Sequence, residues 1–176
     1  MPEEIEIDPA DFITIGTIGP PGQRIFHLQV MQERQLVTLI IEKEQATALA
    51  EGIMSILNEI QEKFDLATLQ RTQGKLDLDL QEPVLPLFRV AQMGLGYDNE
   101  RDRLILFLNE LLPEDVPDEP RVVRLSATRT QMRTLAEHTR EVVAAGRPIC
   151  GNCGAPIDPE GHFCPRSNGR KPSAPT

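Results

Sequence analysis

Apolar and polar residues alternate over residues 25–30, where Phe26, Leu28 and Val30 are separated by His27 and Gln29. A period of two puts the apolar set on one face of an extended chain and predicts a half-buried strand. After a turn at "QERQ" the period returns, with Val37, Leu39 and Ile41 on one face. Upstream, "FITIGTIG" is rich in β-branched residues and runs into the turn signal "GPPG". The chain is therefore expected to open with three strands in an antiparallel meander. Over residues 44–64 the period changes. Ala46, Leu49, Ile53, Ile56, Leu57, Ile60 and Phe64 recur at spacings of three and four, which lays one stripe along a helix. Gly52 sits inside that helix, where glycine costs about 1 kcal/mol against alanine; close packing is the expected reason.

The second half repeats the order. "LFRVAQMGLGYD" predicts a strand running into a glycine-containing turn, and "RLILFLNEL" and "RVVRLSA" predict two more. Between these two lies the acidic, proline-rich "LPEDVPDEP". "TRTQMRTLAEHTREVVAAG" predicts a helix that stops at Gly146. The halves also match residue by residue at a fixed offset. Val37, Leu39 and Ile41 fall on Val123, Leu125 and Ala127; Gln45 falls on Gln131; "LAE" at Leu49 falls on "LAE" at Leu135. A repeat in both identity and burial pattern points to one supersecondary unit used twice. The expected fold is α+β: an internally duplicated βββα repeat forming a two-layer sheet/helix domain, with one six-stranded sheet or two facing lobes left open. Residues 1–147 make that domain, with repeats at about 11–64 and 86–146 and a linker at 65–85. Residues 148–169 form a zinc-knuckle-like motif, and 170–176 a flexible tail.

Composition narrows the partners. The formal net charge of −9 removes the clustered cations that phosphate contacts and anionic membranes need. Nucleic acid is therefore an unlikely ligand by charge, while a protein partner stays open and the oligomeric state is unspecified. The N-terminus "MPEEIEIDPADF" has no basic or apolar leader, and no apolar run approaches the roughly 20 residues that span a bilayer. These features predict a cytoplasmic protein. Aromatics make up only 4% and Trp is absent, so the core must be aliphatic.

All three cysteines lie within "CGNCGAPIDPEGHFC". Cys150 and Cys153 have the spacing of one chelating pair, and His162 with Cys164 supplies the second. The single residue between His162 and Cys164 is short for a chelate, so Asp158 or a water is the alternative fourth ligand. A structural zinc is the expected cofactor; a tail of reduced thiols and a redox Cys-x-x-Cys are the competing readings. A site closed by four protein ligands leaves no open position for catalysis.

"GTIGPPGQRIFHLQV", "LIIEKEQATALAE", "FRVAQMGLGYDNERDRLILFL" and the ending "GRPICGNCGAPIDPEGHFCPRSNG" together resemble an uncharacterised bacterial group, domain-of-unknown-function family 3090. The likeness runs from about Phe12 to Gly169. It departs mildly at Tyr97, where a Trp is expected. The resemblance implies a bacterial cytosolic protein of unassigned activity, encoded near phosphatase-like and kinase-like proteins.

No paired carboxylates, nucleophile elbow or phosphate loop stands out. His27, mid-strand opposite the apolar face, reads as a surface or second-face residue, and His138 as part of a solvated helix face. Arg24 beside "GTIGPPG" and Arg103 beside "MGLGYD" are candidates for a pseudo-symmetric anion site, with turn chemistry as the alternative. The expected function is a non-enzymatic adaptor or regulatory protein with a structural zinc; the alternative is an enzyme or small-molecule binder using a groove between the repeats.

Overall fold

The strands follow from the alternating pattern and the helices from the three-and-four spacing. A computed structural model describes residues 3–20, 22–64 and 77–145. In chain order the elements are β1 (Glu4–Ile7), β2 (Phe12–Ile18), β3 (Ile25–Gln32), β4 (Gln35–Ile41), α1 (Lys43–Lys63), β5 (Pro86–Asp98), β6 (Arg103–Glu110), β7 (Val122–Ala127) and α2 (Arg129–Ala145). All strands join one seven-stranded sheet in the order β1-β7-β6-β5-β4-β3-β2. The fold is mixed α+β, with a single sheet rather than two lobes. One strand exceeds the six expected. β1 comes from the acidic N-terminus, where Ile5 and Ile7 alternate with Glu4 and Glu6, and it pairs parallel with β7.

β2-β3-β4 and β5-β6-β7 are antiparallel meanders, and β4 and β5 join them in parallel. The parallel pairs are β4 with β5 and β7 with β1, so the last strand of each half meets the start of the other half. β5 runs unbroken past a bulge between Val90 and Gln92, whereas β1 and β2 are separated by residues 8–11. Those four residues bring the two ends of the sheet together. The Ala10 N–H donates to the Ser126 carbonyl on β7 at 2.8 Å, and the next N–H, of Asp11, donates to the Met31 carbonyl on β3 at 2.8 Å. The sheet therefore curls until its first and last strands are consecutive in the chain.

The inner face carries the core: Leu28, Leu39, Leu106 and Leu125 are fully buried, together with Ile53 of α1 and Met132 of α2. The helices pack on each other and on this face. Both start in the same way. The Gln45 side-chain oxygen accepts the Glu42 N–H at 2.7 Å, and the Gln131 oxygen accepts the Thr128 N–H at 2.8 Å. In each helix this satisfies a backbone donor at the N-terminus. The other end of each amide reaches the opposite half: Gln45 Nε2 donates to the Val90 and Ala91 carbonyls at 3.1 and 3.2 Å, and Gln131 Nε2 to the Ala10 carbonyl at 2.8 Å. Among the described residues Gly52 has no close neighbour: a methyl group built there meets nothing within 4 Å, so packing among them does not account for it.

Candidate functional site

The metal ligands expected at Cys150, Cys153, His162 and Cys164 lie outside the described residues, as do Asp158 and residues 65–76 of the expected linker. Among the described residues, no group of three or more His, Cys, Asp or Glu side chains is placed to hold a metal ion.

Arg24 and Arg103 are described, and the structure keeps them apart. Arg24 donates to the Val142 and Val143 carbonyls at 2.8 and 3.4 Å, satisfying free acceptors in the last turn of α2. Its guanidinium also lies 5.0 Å from the centre of the Phe26 ring. Arg103 folds back on its own turn, donating to the Arg101 and Asp102 carbonyls at 3.4 and 3.2 Å. Asp102 in turn binds Arg129 at the start of α2. Thirteen residues of helix separate Arg129 from Val142, about 20 Å. The two arginines thus sit at opposite ends of α2 and share no site. Turn chemistry explains the first glycine loop: Gly19 and Gly22 have φ of 112° and 86°. "MGLGYD" is not its counterpart, because Gly94 and Gly96 lie within β5 and the hairpin turns at residues 99–102.

The polar face of the first meander is covered, so His27 is a second-face residue and not a surface one. Thr14, His27, Gln29 and Thr38 are all buried. Residues 77–82, which the sequence places in a linker, lie across them. Gln29 pairs with Gln81 as a strand would: its oxygen accepts the Gln81 N–H at 2.7 Å and its amide donates to the Gln81 carbonyl at 2.9 Å. The Thr14 hydroxyl donates to the Leu78 carbonyl. Leu80 fills the space above Gly16, where an added methyl group would meet Leu80 Cγ at 2.6 Å. His27 Nδ1 lies 3.0 Å from the Ile25 carbonyl, and burial pushes its imidazole pKa below the ordinary value. Beside this cover runs a groove of about 410 Å³, lined by Gly16, Arg24, Leu80, Glu82, His138 and Val142 among others. His138 is half-buried on its rim rather than on an open polar face.

At the sheet junction Asp8 accepts two hydrogen bonds from Arg101, at 2.8 and 2.6 Å, and one from the Ser126 hydroxyl. Arg101 and then Ser126 hold the Asp8 carboxyl well below the usual carboxylate range, at about 2. A carboxylate with a depressed folded pKa stabilises the fold above its unfolded pKa of about 3.9 and loses that contribution as pH falls through the folded value. The stability advantage of wild type over Asp8→Asn should therefore shrink between about pH 4 and pH 2, measured by chemical denaturation across that range. A difference that stays constant with pH would remove Asp8 from the junction's electrostatics.

The second meander presents a different surface. Leu85, Leu87 and Leu111 are 71%, 37% and 51% exposed. Leu85 stands just before β5 and Leu87 just before buried Phe88, where the pairing with β4 shifts register between Thr38 with Pro86 and Leu39 with Phe88. The Leu111 N–H donates to the Arg89 carbonyl at 2.7 Å, which places Leu111 beside them. Arg121 ties the same corner, bridging the Glu110 carboxylate at 2.8 Å and the Leu87 carbonyl at 3.1 Å. The acidic loop with Glu114, Asp115, Asp118 and Glu119 follows directly and is exposed. The patch was not legible in the sequence because Leu85 and Leu87 flank Pro86 and mimic core residues; their exposure emerges only in the fold.

No helix among the described residues is long and apolar enough to cross a membrane. Residues 5–164 match the family model described as a protein of unknown function, DUF3090. No curated protein and no solved structure matches the chain.

Proposed function

The chain belongs to the DUF3090 family of proteins of unknown function, and we propose that it is a cytosolic bacterial adaptor, a duplicated βββα body that docks a protein partner and carries a structural zinc in its C-terminal segment. The observation that carries the adaptor reading is that Leu85, Leu87 and Leu111 are each exposed around the start of β5, where the Leu111 N–H meets the Arg89 carbonyl and the exposed acidic residues 114–119 follow in the chain. Exposed apolar side chains rimmed by one sign of charge suit a partner segment with apolar anchors flanked by Lys or Arg. The groove beside Arg24 favours a small-molecule ligand less, because the Arg24 guanidinium is already used on helix carbonyls.

The test is quantitative. Purified wild type and a Leu87→Ser, Leu111→Ser double variant are compared for binding to partners recovered by chemical cross-linking in the native host. The variant should lose most of the binding, and wild-type binding should weaken with salt. Equal recovery by both proteins would reject this surface as the docking site.

Duplication is supported by the equivalent parallel pairs and by Gln45 and Gln131, which each bind the backbone of the opposite half. The zinc proposal rests on the sequence alone. Three thiolates and an imidazole suit zinc, and the cation is what deprotonates them at neutral pH. Protein purified without chelator should contain close to one zinc per chain. Cys153→Ser should abolish binding and His162→Ala should weaken it, with Asp158 or water taking the vacated place. Elemental analysis showing no metal, with all three thiols reacting as free cysteines, would leave the segment without a metal role.

A further inference from the structure

Residues 77–82 cross the outer face of β2 and β3 without joining the sheet. Among the described residues, none of their backbone groups bonds the backbone of a strand. Side chains of the sheet reach up to them instead. Gln29 takes both polar groups of the Gln81 backbone, accepting its N–H at 2.7 Å and donating to its carbonyl at 2.9 Å. Gln29 Nε2 also donates to Thr38 Oγ1 at 3.1 Å, which fixes the orientation of the amide. Three residues earlier the Thr14 hydroxyl donates to the Leu78 carbonyl. Between these two holds Leu80 sits on Gly16, so close that an added methyl group would meet its Cγ at 2.6 Å.

These contacts have the form in which a protein reads an extended peptide. Bonds to the main chain ask nothing of side-chain identity, while a pocket for an alternate side chain sets the sequence. Residues 77–82 fit that pattern, because Leu78 and Leu80 are half-buried whereas Asp77, Asp79 and Glu82 are exposed. The floor beneath them is polar. Thr14, His27, Gln29 and Thr38 are buried there, and water can take up the hydrogen bonds of each once the strap is lifted. Removing the strap bares these polar groups and leaves the aliphatic core covered on the other face of the sheet. A polar contact whose bonds water can replace is of the reversible kind.

We propose that the outer face of β2 and β3 is a binding site for an extended peptide, and that residues 77–82 occupy it as the chain's own autoinhibitory ligand. The contacts define the ligand class: an extended Leu-x-Leu-x segment of a partner protein, its second leucine over Gly16 and the next residue's N–H and carbonyl on Gln29. Such a segment competes with the tethered strap, whose effective concentration sets the affinity it must exceed. The site goes beyond the adaptor reading given above, since none of its contacts involves Leu85, Leu87 or Leu111, and it is independent of the metal.

The test titrates a fluorescent peptide with the sequence of residues 77–84, DLDLQEPV, against the full-length chain and its variants, read by anisotropy. Leu80→Asp unseats the tethered strap, so the peptide should bind that variant about tenfold tighter than wild type, or more. Adding Gln29→Ala should abolish this binding, and so should an aspartate at the second leucine of the peptide. Equal binding to wild type and Leu80→Asp would overturn the inference, as would binding indifferent to Gln29→Ala or none at all to a folded Leu80→Asp chain. Thermal unfolding checks the fold of each variant. Where Leu80→Asp does not fold, Gln81→Pro replaces it, since it deletes the N–H that Gln29 accepts and changes no fully buried side chain. Unfolding of both would make residues 77–82 part of the core and overturn the inference too. The Leu87→Ser, Leu111→Ser protein serves as a control that should bind the peptide as wild type does, so the two surfaces fail or stand separately.

Discussion

Leu125→Ala is expected to lower the unfolding free energy by about 2–5 kcal/mol, the range for truncating a fully buried leucine, and Leu39→Ala by a comparable amount. The two positions are matched in their surroundings. Leu39 on β4 lies between Leu28 of β3 and Phe88 of β5; Leu125 on β7 lies between Leu106 of β6 and Ile7 of β1. Each is flanked by an antiparallel and a parallel neighbour, and each is 0% exposed. β4 and β7, which carry the two leucines, are each bonded to a strand on both sides, so neither site can collapse far to refill the cavity, and the cost should lie well above that of a surface change. Chemical denaturation of both variants, with slopes checked against wild type, gives the two numbers. Losses below about 1 kcal/mol at both sites would overturn the inner-face assignment. One large and one small loss would instead count against the equivalence of the halves.

Most of the fold was legible where the signal was local. The alternation of Phe26, Leu28 and Val30, and the stripe from Ala46 to Ile60, mark elements whose bounds the structure gives at Ile25–Gln32 and Lys43–Lys63. β1 escaped because two isoleucines between acidic residues make too short a pattern. Its partner, β7, is more than a hundred residues away in sequence. Burial of His27 and Gln29 escaped for a related reason. Their side of the strand reads as solvent-facing until residues 77–82 return across it, and nothing local in "RIFHLQV" announces that visit. Gln45 and Gln131 were visible as an identity across the repeat, yet their use needed the fold: each amide caps a helix and bonds a strand of the opposite half. Arg24 and Arg103 show the converse. Similar glycine-rich neighbourhoods suggested one site, but the chain sends the two residues to opposite ends of α2. The cysteine segment, the clearest chemical signal in the sequence, lies outside the described residues, so its reading still rests on ligand type and spacing.

Two glycines, one in β2 and one in α1, should respond to alanine with opposite signs. At Gly16 the new methyl group would meet Leu80 Cγ at 2.6 Å and both Leu80 methyl carbons at 3.1 and 3.2 Å. Leu80 has little freedom to yield, because Leu78 and Gln81 on either side of it are bonded to Thr14 and Gln29. Overpacking of this kind costs about 1–3 kcal/mol. The strain should also lift the cover, speeding amide exchange at the Gln81 N–H and exposing buried His27. At Gly52 the methyl group meets nothing within 4 Å among the described residues, and the residue lies in the middle of α1. Alanine there reduces the backbone entropy lost on folding and should stabilise the protein by about 0.5–1 kcal/mol. Thermal and chemical unfolding of the two single variants decides the matter. A Gly16→Ala protein as stable as wild type, with Gln81 exchange unchanged, would mean that residues 77–82 do not press on β2. A destabilised Gly52→Ala would mean that α1 sits closer to Met93 and Leu95 than the open space between them indicates.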